Sequence, residues 1–197
     1  PTALLMPDHA HTISRGRLAD WWRSRAIPVE RDRYERLREH LGVTDTAELL
    51  EECNALSLSD RYWVKAPDDA RTWAEVNFFD NGFSDDLGLV TLGESSSAFV
   101  RRSPNASLGG MLRKMWTVEG GERVLLKAGR GQANQEPYNE LAATRLHERV
   151  LAPGDYVPYS IEMRDGVAYS RCANMLGPDE ELVPAWDLRR AHTKTNN

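Results

Sequence analysis

The chain has 197 residues and a formal net charge of −5, with 41% hydrophobic and 28% charged residues. This composition fits a globular protein of one or two domains and excludes collagen-like, low-complexity and disulfide-dense classes. No apolar run approaches the ~20 residues that a membrane-spanning helix needs. The start of the chain lacks a signal-peptide pattern, and Cys53 and Cys172 are expected to be reduced thiols, which together predict a cytoplasmic location. The acidic balance argues against nucleic-acid binding over the whole surface.

Apolar residues at helical spacing dominate the first part of the chain and predict three short helices. The first runs from about Arg15 to Arg25 and the second from Glu30 to Leu41. The third begins near Thr44 or Asp45 and continues through Cys53. These segments define a helical N-terminal segment over residues 1–56.

From Ser57 onward the pattern changes to short strands and turns. Residues 62–65 resemble a strand, and two β-prone runs, Met115–Val118 and Arg123–Lys127, flank Gly120-Gly121. Two glycines between such runs are a strong hairpin signal.

The last third of the sequence predicts a helix followed by a second hairpin. A helix is expected from about Glu136 to Val150, with Pro137 in its first turn, where proline is favoured. Strands are expected at 157–163 and 167–172, joined at Asp165-Gly166. The predicted fold is therefore α+β, with an antiparallel sheet and one main helix over residues 57–186, followed by a polar tail at 187–197.

Three elements that suit a nucleotide triphosphate follow one another in this second part. Ser107-Leu108-Gly109-Gly110 through Lys114 offers glycines that let backbone N–H groups approach phosphate closely. Lys127 ends an apolar strand, where its ammonium group could face a cleft. Glu140 lies in the first turns of the next helix, where its carboxylate could hold that lysine in place.

These residues resemble the HipA-like serine/threonine protein kinases. The segment Ser107–Lys114 is similar to the family's glycine loop, Val124–Lys127 to its ATP-binding lysine strand, and Asn139-Glu140 to the opening of its following helix. Further segments resemble a bacterial subgroup of the family: Ser57–Trp63, Val76–Asn81, Gln135–Glu140 and Glu181–Val183. The similarity extends from about residue 20 to the C-terminus.

The resemblance implies a kinase-like N-lobe that binds ATP with Mg2+. It implies that Lys127 contacts the ATP phosphates, that Glu140 pairs with Lys127, and that Ser107 is a loop serine open to autophosphorylation. The stretch from Cys172 to Asn174 would begin the hinge that contacts adenine. The cofactor-binding residues implied in this way are Ser107, Gly109, Gly110, Lys114, Lys127, Cys172 and Asn174. Many such kinases are bacterial toxins paired with an antitoxin.

The sequence departs from the family after Trp186, where no catalytic aspartate, metal-binding asparagine or magnesium motif follows. Two interpretations stay open. The chain is part of a longer kinase whose C-terminal lobe phosphorylates a protein substrate. Alternatively, it is a half-kinase that acts as a regulator, or as an antitoxin-like partner of a separate kinase lobe.

Two other classes of function compete with the kinase interpretation. The second and third predicted helices, joined across residues 41–44, could form a helix-turn-helix, but Glu48, Glu51 and Glu52 would be repelled by phosphate. The preceding helix alternates arginines with acidic residues, which is typical of a solvated face. The six tryptophans would also suit an interaction protein, although aromatic residues more often belong to a core.

Overall fold

The computed structural model describes residues 15–94, 102–177, 179–185, 188 and 189. The predictions for the chain start, Trp186 and most of the 187–197 tail lie outside these residues. The helices are α1 (Arg15–Arg25), α2 (Tyr34–Leu41), α3 (Glu48–Glu52), α4 (Trp73–Val76), α5 (Asp86–Leu92) and α6 (Glu136–Val150), with a 3-10 turn at Pro104–Ser107. The strands are β1 (Lys114–Glu119), β2 (Glu122–Ala128), β3 (Ser160–Arg164) and β4 (Val167–Ala173).

Four antiparallel strands form one sheet in the order β1-β2-β4-β3. Both predicted hairpins are confirmed. Gly120 and Gly121 both adopt positive φ, as do Asp165 and Gly166, which is the backbone that a two-residue hairpin turn requires. The α+β prediction is confirmed at this level of architecture. In the register of the sheet, Lys114 lies directly opposite Lys127, and Lys127 lies opposite Ser170.

Helix α5 packs on one face of β1. A β-carbon added at Gly88 would lie within 2.9 Å of Met115 atoms, so only glycine allows this close approach. The Thr91 hydroxyl donates to the Lys114 carbonyl at 2.8 Å and joins the helix to the strand. Helix α6, predicted with its observed bounds, sends Glu140 to Lys127, whose side chain lies on the opposite face from Met115.

The N-terminal helices are shorter than predicted. Helix α2 begins at Tyr34 rather than Glu30, and α3 begins at Glu48 rather than near Thr44. The Glu48 carboxylate accepts hydrogen bonds from the backbone N–H groups of Thr44 and Asp45, so these residues form the turn before the helix. Helix α1 matches its predicted bounds.

The strand predicted at residues 62–65 is wrong. Its backbone is irregular because its contacts are local: Val64 N–H donates to the Asn54 carbonyl, and the Lys65 ammonium group donates to the carbonyls of Asp69 and Arg71. Helices α4 and α5 lie in a part of the chain where the sequence predicted only strands and turns.

The helical segment and the sheet share a hydrophobic core. One cluster joins Leu49 and Leu50 of α3 to Phe78, Leu87 and Trp116. Within the described residues, no helix is both long and apolar enough to cross a membrane.

Candidate functional site

The Lys127 side chain lies at the centre of a polar cluster between the sheet and α6. Its Nζ is 2.5 Å from Oε1 of Glu140 and 2.8 Å from the hydroxyl oxygen of Tyr159. The lysine side chain is 14% exposed and the glutamate side chain 34% exposed, so the pair is shielded but reaches solvent. The sequence prediction that Glu140 pairs with Lys127 therefore agrees with this geometry.

Tyr159 is fixed by the same helix that carries Glu140. Its backbone N–H donates to the Thr144 hydroxyl at 2.9 Å, one turn along α6. Burial alone would lower the pKa of Lys127, but its hydrogen bonds with Glu140 and Tyr159 outweigh burial and raise that pKa. Lys127 is thus held as a fixed ammonium ion.

Lys114 is a second cation on the same face of the sheet. It lies opposite Lys127 across β1 and β2, and no carboxylate within the described residues forms an ion pair with it. The pKa of Lys114 is lowered to about 8, mainly by burial and in addition by the positive charges of Arg31 and Lys127, against the opposing effect of Glu140. The cluster of Arg31, Lys114, Lys127 and Glu140 therefore has more positive than negative charge.

The glycine loop is held from behind by Arg31. This guanidinium group donates to the carbonyl oxygens of three consecutive residues, Leu108, Gly109 and Gly110. With its carbonyls turned to Arg31, the loop leaves the N–H groups of Gly109 and Gly110 without a hydrogen-bond partner among the described residues. Burial lowers the pKa of Arg31 to about 10, which leaves it cationic at neutral pH.

Gly110 connects the loop to Lys114. A β-carbon placed on Gly110 would lie 2.8 Å from Nζ of Lys114, so the ammonium group rests against the loop backbone. The Lys114 ammonium group lies beside N–H groups that have no partner among the described residues, and Lys127 lies opposite it across the two strands, so this part of the sheet carries the donors and positive charge that bind phosphate oxygens.

Ser107 differs in placement from the other predicted loop residues. Its hydroxyl donates to the carbonyls of Leu56 and Pro104 at 2.9 and 3.1 Å, and the residue is buried. In this arrangement the hydroxyl faces the core and not the lysine cluster. Autophosphorylation of Ser107 stays a prediction, and it would require the hydroxyl to leave the two backbone carbonyls that share its proton.

Of the two residues predicted for the hinge, one lies near the lysine cluster. Cys172 is buried within β4, and its thiol hydrogen-bonds with Tyr159; burial raises the pKa of this thiol. The Asn174 amide instead donates to the Leu58 carbonyl at 3.1 Å, and its side-chain oxygen accepts from Leu176 N–H. Asn174 therefore orders the chain that leaves the sheet.

Sequence reasoning missed Tyr159 and Arg31. Tyr159 precedes its strand, with no motif to mark it. Arg31 was assigned to a solvated charged face, but it is 3% exposed. The sequence feature that marks Arg31 is its position shortly before a helix, and arginine is too common there to predict burial.

Comparisons with protein-family models, with curated proteins and with solved structures found no match to this chain. Within the part of the chain that the structure describes, no group of three or more His, Cys, Asp or Glu residues is placed to hold a metal ion.

Replacing Gly110 by alanine is expected to destabilise the loop, with Gly109→Ala as the matched control. Gly110 has φ of +87°, a conformation that costs an alanine about 1 kcal/mol, and the new methyl group would displace the Lys114 ammonium group. Gly109 has no such φ, and nothing lies within 4 Å of its added β-carbon. Urea denaturation of both variants measures the difference; equal free energies of unfolding would contradict this account of the loop.

Proposed function

We propose that this chain is the nucleotide-binding lobe of a HipA-like serine/threonine protein kinase. The observation that carries the proposal is the Lys127–Glu140 ion pair at 2.5 Å, formed between a sheet strand and the helix that follows it. A fixed lysine held by a helix glutamate is the arrangement that protein kinases use to bind nucleotide phosphates. The order of glycine loop, lysine strand, glutamate helix and two further strands adds support.

The residues present fit the triphosphate of ATP. Lys127 would bind one phosphate as a fixed cation, Lys114 would add a second positive charge from the neighbouring strand, and the N–H groups of Gly109 and Gly110 would supply neutral donors. Bound ATP would supply the phosphoryl group for transfer. The Leu108–Gly110 carbonyls are held by Arg31, so the loop can offer N–H groups to an anion without first breaking a backbone bond.

A regulatory half-kinase that docks on another protein is the second candidate. It is favoured by apolar side chains exposed near the end of α6 and on the adjoining sheet: Leu146 is 60%, Val150 67% and Met163 57% exposed. Exposed apolar groups of this size mark surfaces that proteins cover on association. Such a regulator would not require the lysine cluster to bind nucleotide, which separates the two proposals experimentally. For the helix-turn-helix alternative, the described residues offer only the five-residue α3, which carries three glutamates.

Titration with ATP at two pH values tests the nucleotide-binding proposal. A terminal phosphate with a second pKa of about 6 is almost completely ionised by about pH 7.5, so changes in affinity above that pH report on the protein. Lys114 has a pKa of about 8 in the ligand-free protein. Well below that pH its ammonium group is charged, and ATP should bind with full affinity. An anion raises the lysine pKa in the complex, so ATP affinity should fall as pH rises above about 8.

The variant Lys114→Met supplies the control for this pH profile. It should bind ATP more weakly at pH 7.5 and show a much flatter profile between about pH 7.5 and pH 9.5. Calorimetry measures both affinities. Because the pKa of Lys114 is lower in the folded protein than in the unfolded chain, the contribution of Lys114 to the free energy of unfolding increases over this pH range. A loss of ATP affinity at high pH therefore cannot be attributed to unfolding caused by Lys114. Absence of saturable ATP binding at either pH would contradict the proposal and leave the regulatory candidate.

A further inference from the structure

A second electropositive cleft lies on the other side of β1 from the lysine cluster. Helix α2, the end of α5 and Arg113 enclose about 180 Å3. Arg36 and His40 line it from one face of α2, because positions four residues apart share a helix face, and Arg33 lines it from the position just before the helix. Arg113 and Lys114 are consecutive residues at the start of a strand and so point to opposite sides of it.

The acidic groups of the cleft are already engaged. The carboxylate of Asp32 is 3.0 Å from Nε of Arg113. The carboxylate of Glu94 hydrogen-bonds with Tyr169 and lies near Arg164. Neither carboxylate is paired with the two arginines of α2.

Two arginines therefore stay unpaired in the cleft. Neither Arg33 nor Arg36 makes a side-chain hydrogen bond or an ion pair within the described residues. Their neighbour Arg38, in contrast, is paired with Glu35 at 2.9 Å on another face of the helix. An excess of arginine over available carboxylate is characteristic of sites for anions.

Gly93 leaves room for these guanidinium groups to approach each other. A β-carbon on Gly93 would lie 3.3 Å from Nη1 of Arg33 and 3.3 Å from Nη1 of Arg113. The two cations thus converge over a residue without a side chain, at the C-terminal end of α5. Arg113 is anchored there by donating to the Leu92 carbonyl, whereas no carboxylate within the described residues forms an ion pair with Arg33.

We infer that this cleft binds a phosphate group, either as free phosphate or as a phosphate monoester. Arg33 and Arg113 approach the group from two sides over Gly93, and Arg36 adds a third guanidinium from the same face of α2. The planar donor pairs of guanidinium match the tetrahedral oxygens of phosphate. The floor of the cleft is apolar, formed by Leu37 and Val90, so the bound anion is partly shielded from water. This site is independent of nucleotide binding at Lys127.

Titration with inorganic phosphate and with O-phosphoserine tests the inference. NMR of the arginine side-chain Nε–Hε groups monitors each titration at constant ionic strength. We expect saturable shifts of Arg33, Arg36 and Arg113, and roughly tenfold weaker binding in Arg36→Gln. Arg33→Asn is a second test, since asparagine tolerates the φ of +62° that Arg33 adopts. Both arginines are exposed, so neither substitution should disturb folding.

Two controls accompany these variants. Arg38→Gln removes an arginine from the same helix outside the cleft, and Lys127→Met removes the candidate nucleotide site; both should retain the shifts. Tighter binding of inorganic phosphate would identify free phosphate as the ligand, and tighter binding of O-phosphoserine a phosphorylated side chain. The inference would be overturned if chloride at matched ionic strength produced the same chemical-shift changes. It would also be overturned if the changes persisted at the same affinity in Arg33→Asn and Arg36→Gln.

Discussion

Replacing Lys127 by methionine is expected to weaken ATP binding by roughly ten- to hundredfold, because charge-assisted hydrogen bonds to phosphate contribute about 1.5–3 kcal/mol. Methionine preserves the length of the side chain and its packing beside Tyr159. The substitution removes the one ammonium group that Glu140 and Tyr159 hold in place.

The same substitution should change stability little. The Glu140 side chain is 34% exposed and can be hydrated once its partner is lost, so the free energy of unfolding should fall by no more than about 1 kcal/mol. Calorimetry with ATP and urea denaturation measure the two effects separately.

Lys65→Met is the control for the change in net charge. Its ammonium group bonds only to nearby loop carbonyls, those of Asp69 and Arg71, so ATP affinity should be unchanged. If Lys127→Met and Lys65→Met bind ATP equally well, the lysine cluster is not the phosphate site.

Replacing Arg31 by methionine should have the largest effect on stability, a loss of about 1–3 kcal/mol. The Leu108 carbonyl lies in a buried contact and would lose its donor, whereas Gly109 and Gly110 are exposed and their carbonyls can bond to water. Removing the buried charge recovers part of the desolvation penalty that lowers the pKa of Arg31 to about 10. The lost hydrogen bonds should outweigh this gain because one cation serves three carbonyls.

Arg36→Met provides the comparison, since it removes an exposed arginine without partners in the described residues and should change stability by less than about 0.5 kcal/mol. Urea denaturation measures the free energies, and amide hydrogen exchange of Asp32, whose N–H donates to the Met111 carbonyl at 3.0 Å, reports on the loop; this exchange should accelerate in Arg31→Met alone. Equal stability and equal exchange in the two variants would show that Arg31 does not hold the loop.

The parts of the fold that the sequence predicted well are encoded locally. The Gly120-Gly121 and Asp165-Gly166 turns need positive φ, which few residues adopt, so these pairs mark the hairpins by themselves. Helix α6 has a proline in its first turn and a long uninterrupted run of helix-forming residues. The place of Glu140 in the first turns of the helix after the lysine strand put it within reach of Lys127, and the pairing itself was implied by the resemblance to HipA-like kinases.

The parts that were predicted wrongly depend on distant contacts. Residues 62–65 have the composition of a strand, but they pair with none of the four strands of the sheet. Helix α5 forms because Gly88 lets it lie against Met115, a contact that no local pattern shows. Arg31 looked like one charge among many, and its burial against the glycine loop depends on residues 77 to 79 positions further along the chain.

That separation in sequence has a consequence for the order of folding. Contacts between such distant segments are slow to form while the intervening chain is unfolded, because closing a long loop costs entropy. The hairpins and α6 can form from neighbouring residues, whereas the glycine loop reaches its final shape only when the N-terminal helices dock. The bonds between Arg31 and the loop therefore belong to the late steps of folding, and they act mainly by slowing the escape from the native state.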